Sequence, residues 1–279
     1  LQLGDIRRLS TGLFQPLGPG SPLFVEPALE TIESDSDIFG VGNRRTDRIL
    51  NATTSASAAV GVRLGTIGVA RLGGGHEWYR ATPAISSRLE GSLKDTANFA
   101  RFSLSFDTLD DANFPRQGFG ANLRVDRRRY STGAATVQSY GADALVPFTF
   151  GRLTLFALAG VAYSRNDAGG FSLGGFLNLS GTPIGAIAGS QAAIVSGVAY
   201  YRMGELPRGM GRSWYAGVSL EAGNAWARQS DMRLGDVKKA GSVFLGLDSV
   251  IGPLYLGLGK TFGGDAAIYL FLGRPTDHN

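Results

Sequence analysis

An all-β fold, a transmembrane antiparallel β-barrel, is what this sequence predicts, and three observations carry it. Helical periodicity is nearly absent, while period-two alternation returns about every 20 residues. The two faces of the alternating stretches differ in kind: one is built of Leu, Val, Ala and aromatics, the other of Gly, Ser, Asp and Arg. The connections between stretches alternate between short and long.

Taken in order, about thirteen segments read as strands, near 6–16, 22–32, 50–63, 65–79, 96–108, 117–129, 136–148, 152–164, 188–202, 213–226, 240–250, 253–261 and 266–273. The fourth is irregular. Arg71 falls on the face of Ile67 and Val69, which predicts a bulge or a misplaced boundary. In Phe99–Thr108, Phe102, Leu104 and Phe106 oppose Arg101, Ser103, Ser105 and Asp107. In Phe119–Asp126, Phe119, Ala121, Leu123 and Val125 oppose Gly120, Asn122, Arg124 and Asp126. In Trp214–Gly223, Trp214, Ala216, Val218, Leu220 and Ala222 oppose Tyr215, Gly217, Ser219, Glu221 and Gly223. Val243, Leu245 and Leu247 oppose Phe244, Gly246 and Asp248, and the final strand sets Ile268, Leu270 and Leu272 on one side.

A soluble sandwich also alternates, with a large apolar face turned inward. The small and polar character of the second face here suits a wet interior with lipid outside. Strands of about ten residues cross a bilayer when tilted. Tyr79, Tyr163, Tyr201 and Trp214 stand near strand ends, as interfacial aromatics do. A mean hydropathy of +0.02 fits, because alternation cancels in window averages. Lipid forbids an open sheet edge, and bacterial barrels have even strand counts. Thirteen strands after the stub LQLG therefore predict that N-terminal strands are missing and that the chain is a piece of a longer protein. Short connections (16–22, 110–117 and Gly151) alternate with long ones (33–49 and 165–187), as turns and outer loops of a barrel do.

The remaining composition excludes more than it assigns. No cysteine is present, so disulfides and thiolate metal sites are out. The net charge of +4 is spread along the chain, and the dense run Arg127-Arg128-Arg129 reads as a solvated loop end, not a nucleic-acid patch. No apolar run approaches the ~20 residues of a membrane helix, and no secretory signal opens the chain.

Two motifs are more specific. SFDTLDDANFPRQG (105–118) is a strand, a turn and a new strand, with Pro115 unable to donate to a ladder and Gly118 relaxing the backbone. With Asp107, Phe114, Pro115 and Gly118 in that frame, it resembles the turn of the bacterial surface antigen superfamily of outer-membrane insertases and transporters. In that family a long loop one strand pair later, G-G-x-x-x-V-R-G-F/Y, folds into the barrel. Gly174-Gly175-Phe176-Leu177-Asn178-Leu179-Ser180-Gly181-Thr182 is similar to it, within a plug loop at about 165–187 and with five strands following. The family's wall partner, F-x-D-x-G, is matched by Leu220-Glu221-Ala222-Gly223, with Glu for Asp. Ser180 stands where the family has arginine, so the ion pair is replaced at best by a hydrogen bond to Glu221, weaker by roughly a factor of two. Packing of Leu177, Leu179 and Pro183 is then expected to hold the loop.

The L-S-G form of the loop, with QPL (15–17), SLEAGN (219–224) and GPLYLGLGKTFGG…YLFLGRP (252–275), resembles the C-terminal barrel of self-secreting patatin-like phospholipases. That resemblance spans the chain. It implies a sixteen-stranded barrel, here N-terminally truncated over 1–279, which anchors or translocates a patatin-type lipase domain carried upstream with one polypeptide-transport-associated (POTRA) domain. It further implies the bacterial outer membrane as location, with its lipids, the barrel-assembly machinery and the attached domains as partners. A homodimer is left open, and nucleic acid is not a partner. A general insertase is the alternative, with a barrel enzyme or a porin behind it.

No catalytic residue, cofactor or metal is expected in this chain. Gly170–Gly174 fits G-x-S-x-G around Ser172, but a nucleophile elbow needs strand before and helix after, and the only histidines are His76 and His278. Gly259-Lys260-Thr261 ends like a phosphate loop, yet Leu254 stands where glycine is required. Asp107, Asp110 and Asp111 lack a calcium-loop frame and read as turn caps. The last strand resembles an assembly signal, with a Thr276–Asn279 tail after Pro275 where the family ends in an aromatic.

Overall fold

The computed structural model describes residues 6–39, 45–85, 91–133, 135–166 and 170–273. The tail beyond Gly273, His278 included, lies outside them. Sixteen strands occur among the described residues: β1 Ile6–Gly12, β2 Gln15–Pro16, β3 Leu23–Phe39, β4 Arg45–Leu64, β5 Gly68–Ile85, β6 Leu93–Asp107, β7 Gly120–Tyr130, β8 Val137–Phe150, β9 Leu153–Arg165, β10 Phe171–Leu173, β11 Ile187–Gly189, β12 Gln191–Glu205, β13 Gly211–Trp226, β14 Lys238–Ser249, β15 Gly252–Thr261 and β16 Ala266–Leu272. One 14-stranded sheet runs β1-β3-β4-β5-β6-β7-β8-β9-β12-β13-β14-β15-β16, with β2 paired to β3. β10 and β11 form a separate ribbon. No described helix is long and apolar enough to cross a membrane.

Each of the thirteen expected segments contains or becomes a strand of the main sheet, with boundary shifts. The first breaks at Leu13-Phe14 into β1 and β2, both lying on β3. The irregular fourth was a misplaced boundary. Gly65–Ile67 form the turn, β5 starts at Gly68, and its register against β4 is continuous from Leu64↔Gly68 to Ile49↔Pro83.

The chain divides into two compact units. The first holds β1–β5, β6 to Ser105, β7 from Asn122 and the start of β8. One face of its strands is laced with charge. Arg71 Nε meets Glu26 at 2.8 Å, Arg101 Nε meets Asp126 at 2.6 Å, and Arg128 Nε meets Glu77 at 3.1 Å. The opposite face exposes Leu29, Val60, Leu72 and Trp78. Arg127–Arg129 are therefore no loop end: they close β7, and alternation turns Arg128 to the ion pairs and leaves its neighbours exposed. Tyr79 is likewise no girdle residue. It shares the face of Glu77 and donates to Asn51 Oδ1 at 2.7 Å.

The second unit holds Phe106–Ala121, most of β8 and β9, and everything from β10 onward. Its strands keep the predicted faces. Leu220 is 68% exposed and Leu245 45%, with Val218, Val243, Leu256, Leu258, Ile268 and Leu270 exposed beside them. Ser219, Glu221, Ser242 and Thr261 are buried on the other side. Large aliphatics facing outward over buried hydroxyls invert the order of a water-soluble sheet protein. The covered face is not uniformly polar, however. Phe114, Phe156, Phe176, Val198, Tyr200, Tyr215, Phe244 and Tyr255 pack there in one cluster. Glycines on the same face make room for the rings: a Cβ on Gly217 would stand 2.3 Å from the Phe244 ring, and one on Gly246 would stand 2.9 Å from Phe114.

Candidate functional site

Residues 174–182 are buried throughout and lie against the covered face of β12–β16. The β10–β11 ribbon closes the loop's neck, and Gly175 N–H donates to Thr182 O at 2.9 Å across it. Glycine is required at both ends of the motif. Gly174 and Gly181 have φ of 131° and 96°, and a Cβ on them would fall 2.0 Å from Pro183 O and 2.4 Å from Thr261 N. Leu177 and Leu179 also sit at positive φ, 57° and 67°. An L-residue holds that conformation only where its surroundings over-determine it, at about 1–3 kcal/mol. Here the surroundings are a seat: Leu179 is fully buried, and Phe176 packs on Phe244, Tyr255 and Tyr269.

Ser180, 0% exposed, meets Glu221, 3% exposed. The Ser180 N–H donates to Glu221 Oε2 at 2.6 Å and its hydroxyl donates to Oε1 at 2.8 Å. Ser219 Oγ donates to the same Oε1 at 2.5 Å and shares a bond with Ser242 Oγ at 2.7 Å. No ion pair to Glu221 occurs among the described residues. Ser180 thus makes two bonds to one carboxylate, one from its backbone. Its oxygen also accepts the Leu177 N–H at 3.0 Å. Further bonds fasten the far end: Gly181 N–H donates to Tyr269 Oη at 2.8 Å, and Thr182 and Thr261 hydroxyls meet at 2.8 Å. The seat is therefore polar as well as apolar: the hydrogen bond from Ser180 to Glu221 that the sequence allowed in place of an ion pair is present beside the packing of Leu177 and Leu179. Pro183 is only half-buried. Gly223 shares the face of Glu221 but abuts the Ala193 carbonyl, not the loop.

The 107–118 turn builds a second closure on the same face. Its acids cap backbone N–H groups: Asp107 takes that of Leu109, Asp110 those of Arg116 and Gln117, and Asp111 those of Asn113 and Phe114. No cluster able to hold a metal occurs among the described residues. A Cβ on Gly118, at φ 94°, would meet Thr108 O at 2.1 Å. Phe114 stacks on Tyr215 at 4.2 Å and contacts Tyr255 at 5.4 Å, and Tyr200 Oη donates to Pro115 O. Arg212 bridges Asp111 and Asp248, reaching the latter at 2.6 Å, while Asn113 Nδ2 donates to Asp248 Oδ1 at 3.0 Å. Burial alone would raise the Asp111 carboxyl. The N–H groups of Phe114 and Asn113 with the Arg212 guanidinium outweigh it and hold the group below the ordinary carboxylate range. Tyr255 touches both Phe114 and Phe176, so turn and loop share one aromatic contact.

Ser172 pairs with Ala188 in the ribbon, without a helix after it, and His76 Nδ1 bonds Asn98 at 2.8 Å on β5 and β6. The structure brings no base to Ser172 among the described contacts. Phe176, Ser219, Thr261 and Tyr269 lie inside the quoted stretches but had no role assigned to them, and Arg212 and Asp248, which clamp the turn, belonged to no sequence motif. The signal for Ser219, Asp248 and Thr261 was position: each lies on the glycine- or serine-bearing side of its strand.

No family model matches the chain, and no curated protein matches it. Solved structures do share its fold. The crystal structure of BamA from Haemophilus ducreyi lacking POTRA domains 1-3 superposes at a TM-score of 0.72 with 14% identity, over 96% of this chain and 61% of that one. CdiB from Escherichia coli follows at 0.60, 16%, 96% and 51%. CdiB from Acinetobacter baumannii gives 0.56, 11%, 92% and 46%. The chain thus spans about half to three-fifths of those chains. The fold class is the one the sequence predicts, an antiparallel β-barrel of the kind those outer-membrane proteins have. The loop 174–182 is seated against the covered face of β12–β16.

Proposed function

We propose that this chain is the bacterial outer-membrane barrel of a translocator, and that it anchors or exports an attached patatin-like phospholipase domain. The single observation that carries the translocator reading is the Ser180–Glu221 seat: a fully buried loop held on the covered sheet face by hydrogen bonds, with no ion pair to Glu221 among the described residues. Such a loop is a gate that can be displaced at moderate free-energy cost. The outward aliphatic face of β13–β16 supports placement in lipid. The barrel does no chemistry of its own. It supplies an enclosed path, and the 107–118 turn braces the aromatic floor next to the gate. The lipase attachment rests on the L-S-G loop and the GPLYLGLGKTFGG stretch. In this reading the surrounding lipids and the barrel-assembly machinery are partners, and lipase activity resides upstream.

A disulfide tests the gate. Thr182 and Thr261 hydroxyls touch at 2.8 Å, close enough for cysteines there to pair, and the chain has no other cysteine. Thr182→Cys/Thr261→Cys in the full reading frame is expected to stop export under oxidant and restore it under reductant. Undiminished export with the disulfide formed overturns the reading. The second reading, a general outer-membrane insertase or assembly factor, is favoured by the higher TM-score to BamA than to CdiB. Several transport-associated repeats upstream of Leu1, in place of a lipase domain, decide for it.

A further inference from the structure

The outward face of β13–β16 carries an open groove of about 700 Å³. It exists because one cross-strand row loses its bulk. Leu220 pairs with Gly241, Gly241 with Lys260, and Lys260 with Ala266, so glycine and alanine form the floor. The next row, Val218, Val243, Leu258 and Ile268, forms an apolar wall. Lys260 stands in the groove, one residue from the end of β15. Lys239 precedes Gly241 by two positions on the same face of β14, and Phe262 donates its N–H to Lys239 O at 2.8 Å, placing its exposed ring at that end. No ion pair to Lys239 or Lys260 occurs among the described residues.

A cation on a lipid-facing surface needs an anion or water, and lysine reaches it by extending toward the interface. We infer that this groove binds one anionic lipid, with an acyl chain along Leu220, Leu258 and Ile268 over Gly241 and Ala266, and a phosphate headgroup on Lys239 and Lys260. The charge at one end and the apolar trough below it match the two halves of such a molecule. Neutral lipid satisfies the trough only, and free phosphate the lysines only. The inference rests on the membrane reading above.

The test uses the chain reconstituted in phosphatidylcholine vesicles containing a minor fraction of phosphatidylglycerol with a photoreactive acyl chain. Flotation with the vesicles and heat-modifiable migration establish insertion and folding. Labelling is expected on β13–β16, and Lys239→Gln/Lys260→Gln lowers it about tenfold, from roughly fivefold per lysine less salt screening. Ala266→Phe, which fills the floor, lowers labelling with both lysines in place. A photoreactive phosphatidylcholine labels these strands weakly and indifferently to the lysines. Equal labelling by both lipids, or labelling unchanged in both variants, overturns the site while leaving the barrel intact. Failure to float with vesicles overturns the membrane reading itself.

Discussion

Replacing Glu221 by alanine unseats the loop at 174–182. Three donors converge on that carboxylate: the Ser180 N–H at 2.6 Å, the Ser180 hydroxyl at 2.8 Å and the Ser219 hydroxyl at 2.5 Å. Ser219 can turn to Ser242, 2.7 Å away, so its loss is small. The two Ser180 donors have no such substitute, and each bond to a charged group contributes about 1.5–3 kcal/mol. Glu221→Ala therefore shifts the seated state by about 3–6 kcal/mol, at least about a hundredfold in the seated-to-displaced ratio. Glu221→Gln keeps an acceptor but loses the charge, and about half that effect follows. The readout is the rate at which a water-soluble maleimide labels Thr182→Cys, buried in the seated loop and the sole thiol present. The rate rises about a hundredfold with Glu221→Ala and about tenfold with Glu221→Gln, while heat-modifiable migration shows the barrel folded. Equal labelling in all three backgrounds refutes the account of the seat.

The other predictions concern the floor and the faces. Gly217→Ala drives a methyl into the Phe244 ring, whose nearest atom stands 2.3 Å from the new Cβ; urea unfolding then shows a loss of about 1–3 kcal/mol. Asp111 sits below its ordinary carboxyl range in the fold, so its contribution is present above about pH 4, its unfolded value, and is lost as pH falls through the folded value. Acid titration monitored by near-ultraviolet circular dichroism of the Tyr215–Phe114 stack shows that loss, and Asp111→Asn shows it already at neutral pH. Val218→Arg, on the outward face near the middle of β13, lowers barrel stability in vesicles by about 2–4 kcal/mol, while Trp214→Arg at the strand's start costs about 0–1 kcal/mol.

Strand placement was legible because side-chain alternation in β13, β14 and β15 is nearly unbroken. It failed where composition was ambiguous. Ile67 and Val69 read as one run although Gly65 turns the chain between β4 and β5, and Gln15-Pro16 continued a pattern that Leu13-Phe14 interrupts. Arg127–Arg129 looked solvated because a run of like charges hides the alternation that sends Arg128 inward. The loop motif pointed to residues 174–182 and Glu221. It said nothing of the backbone N–H of Ser180, which any residue there would present. The aromatic floor was least visible. Phe244 and Tyr215 fall on the small, polar side of their strands, where an aromatic looks like an exception until Gly217, across from Phe244, and Gly246, beneath Phe114, are seen as sockets for rings. Arg212, Asp248 and Asn113 lie up to 135 positions apart, and no local pattern announces such a clamp.

Spin-label scanning along β13 in lipid vesicles tests the central claim most directly. Labels at 216, 218 and 220 should relax with oxygen dissolved in the bilayer, and labels at 217, 219 and 221 should not, giving a period of two. A scan without that period, or one in which a water-soluble nickel chelate reaches 218 and 220 as readily as oxygen does, contradicts a barrel that turns its aliphatic face to lipid and its loop-bearing face inward.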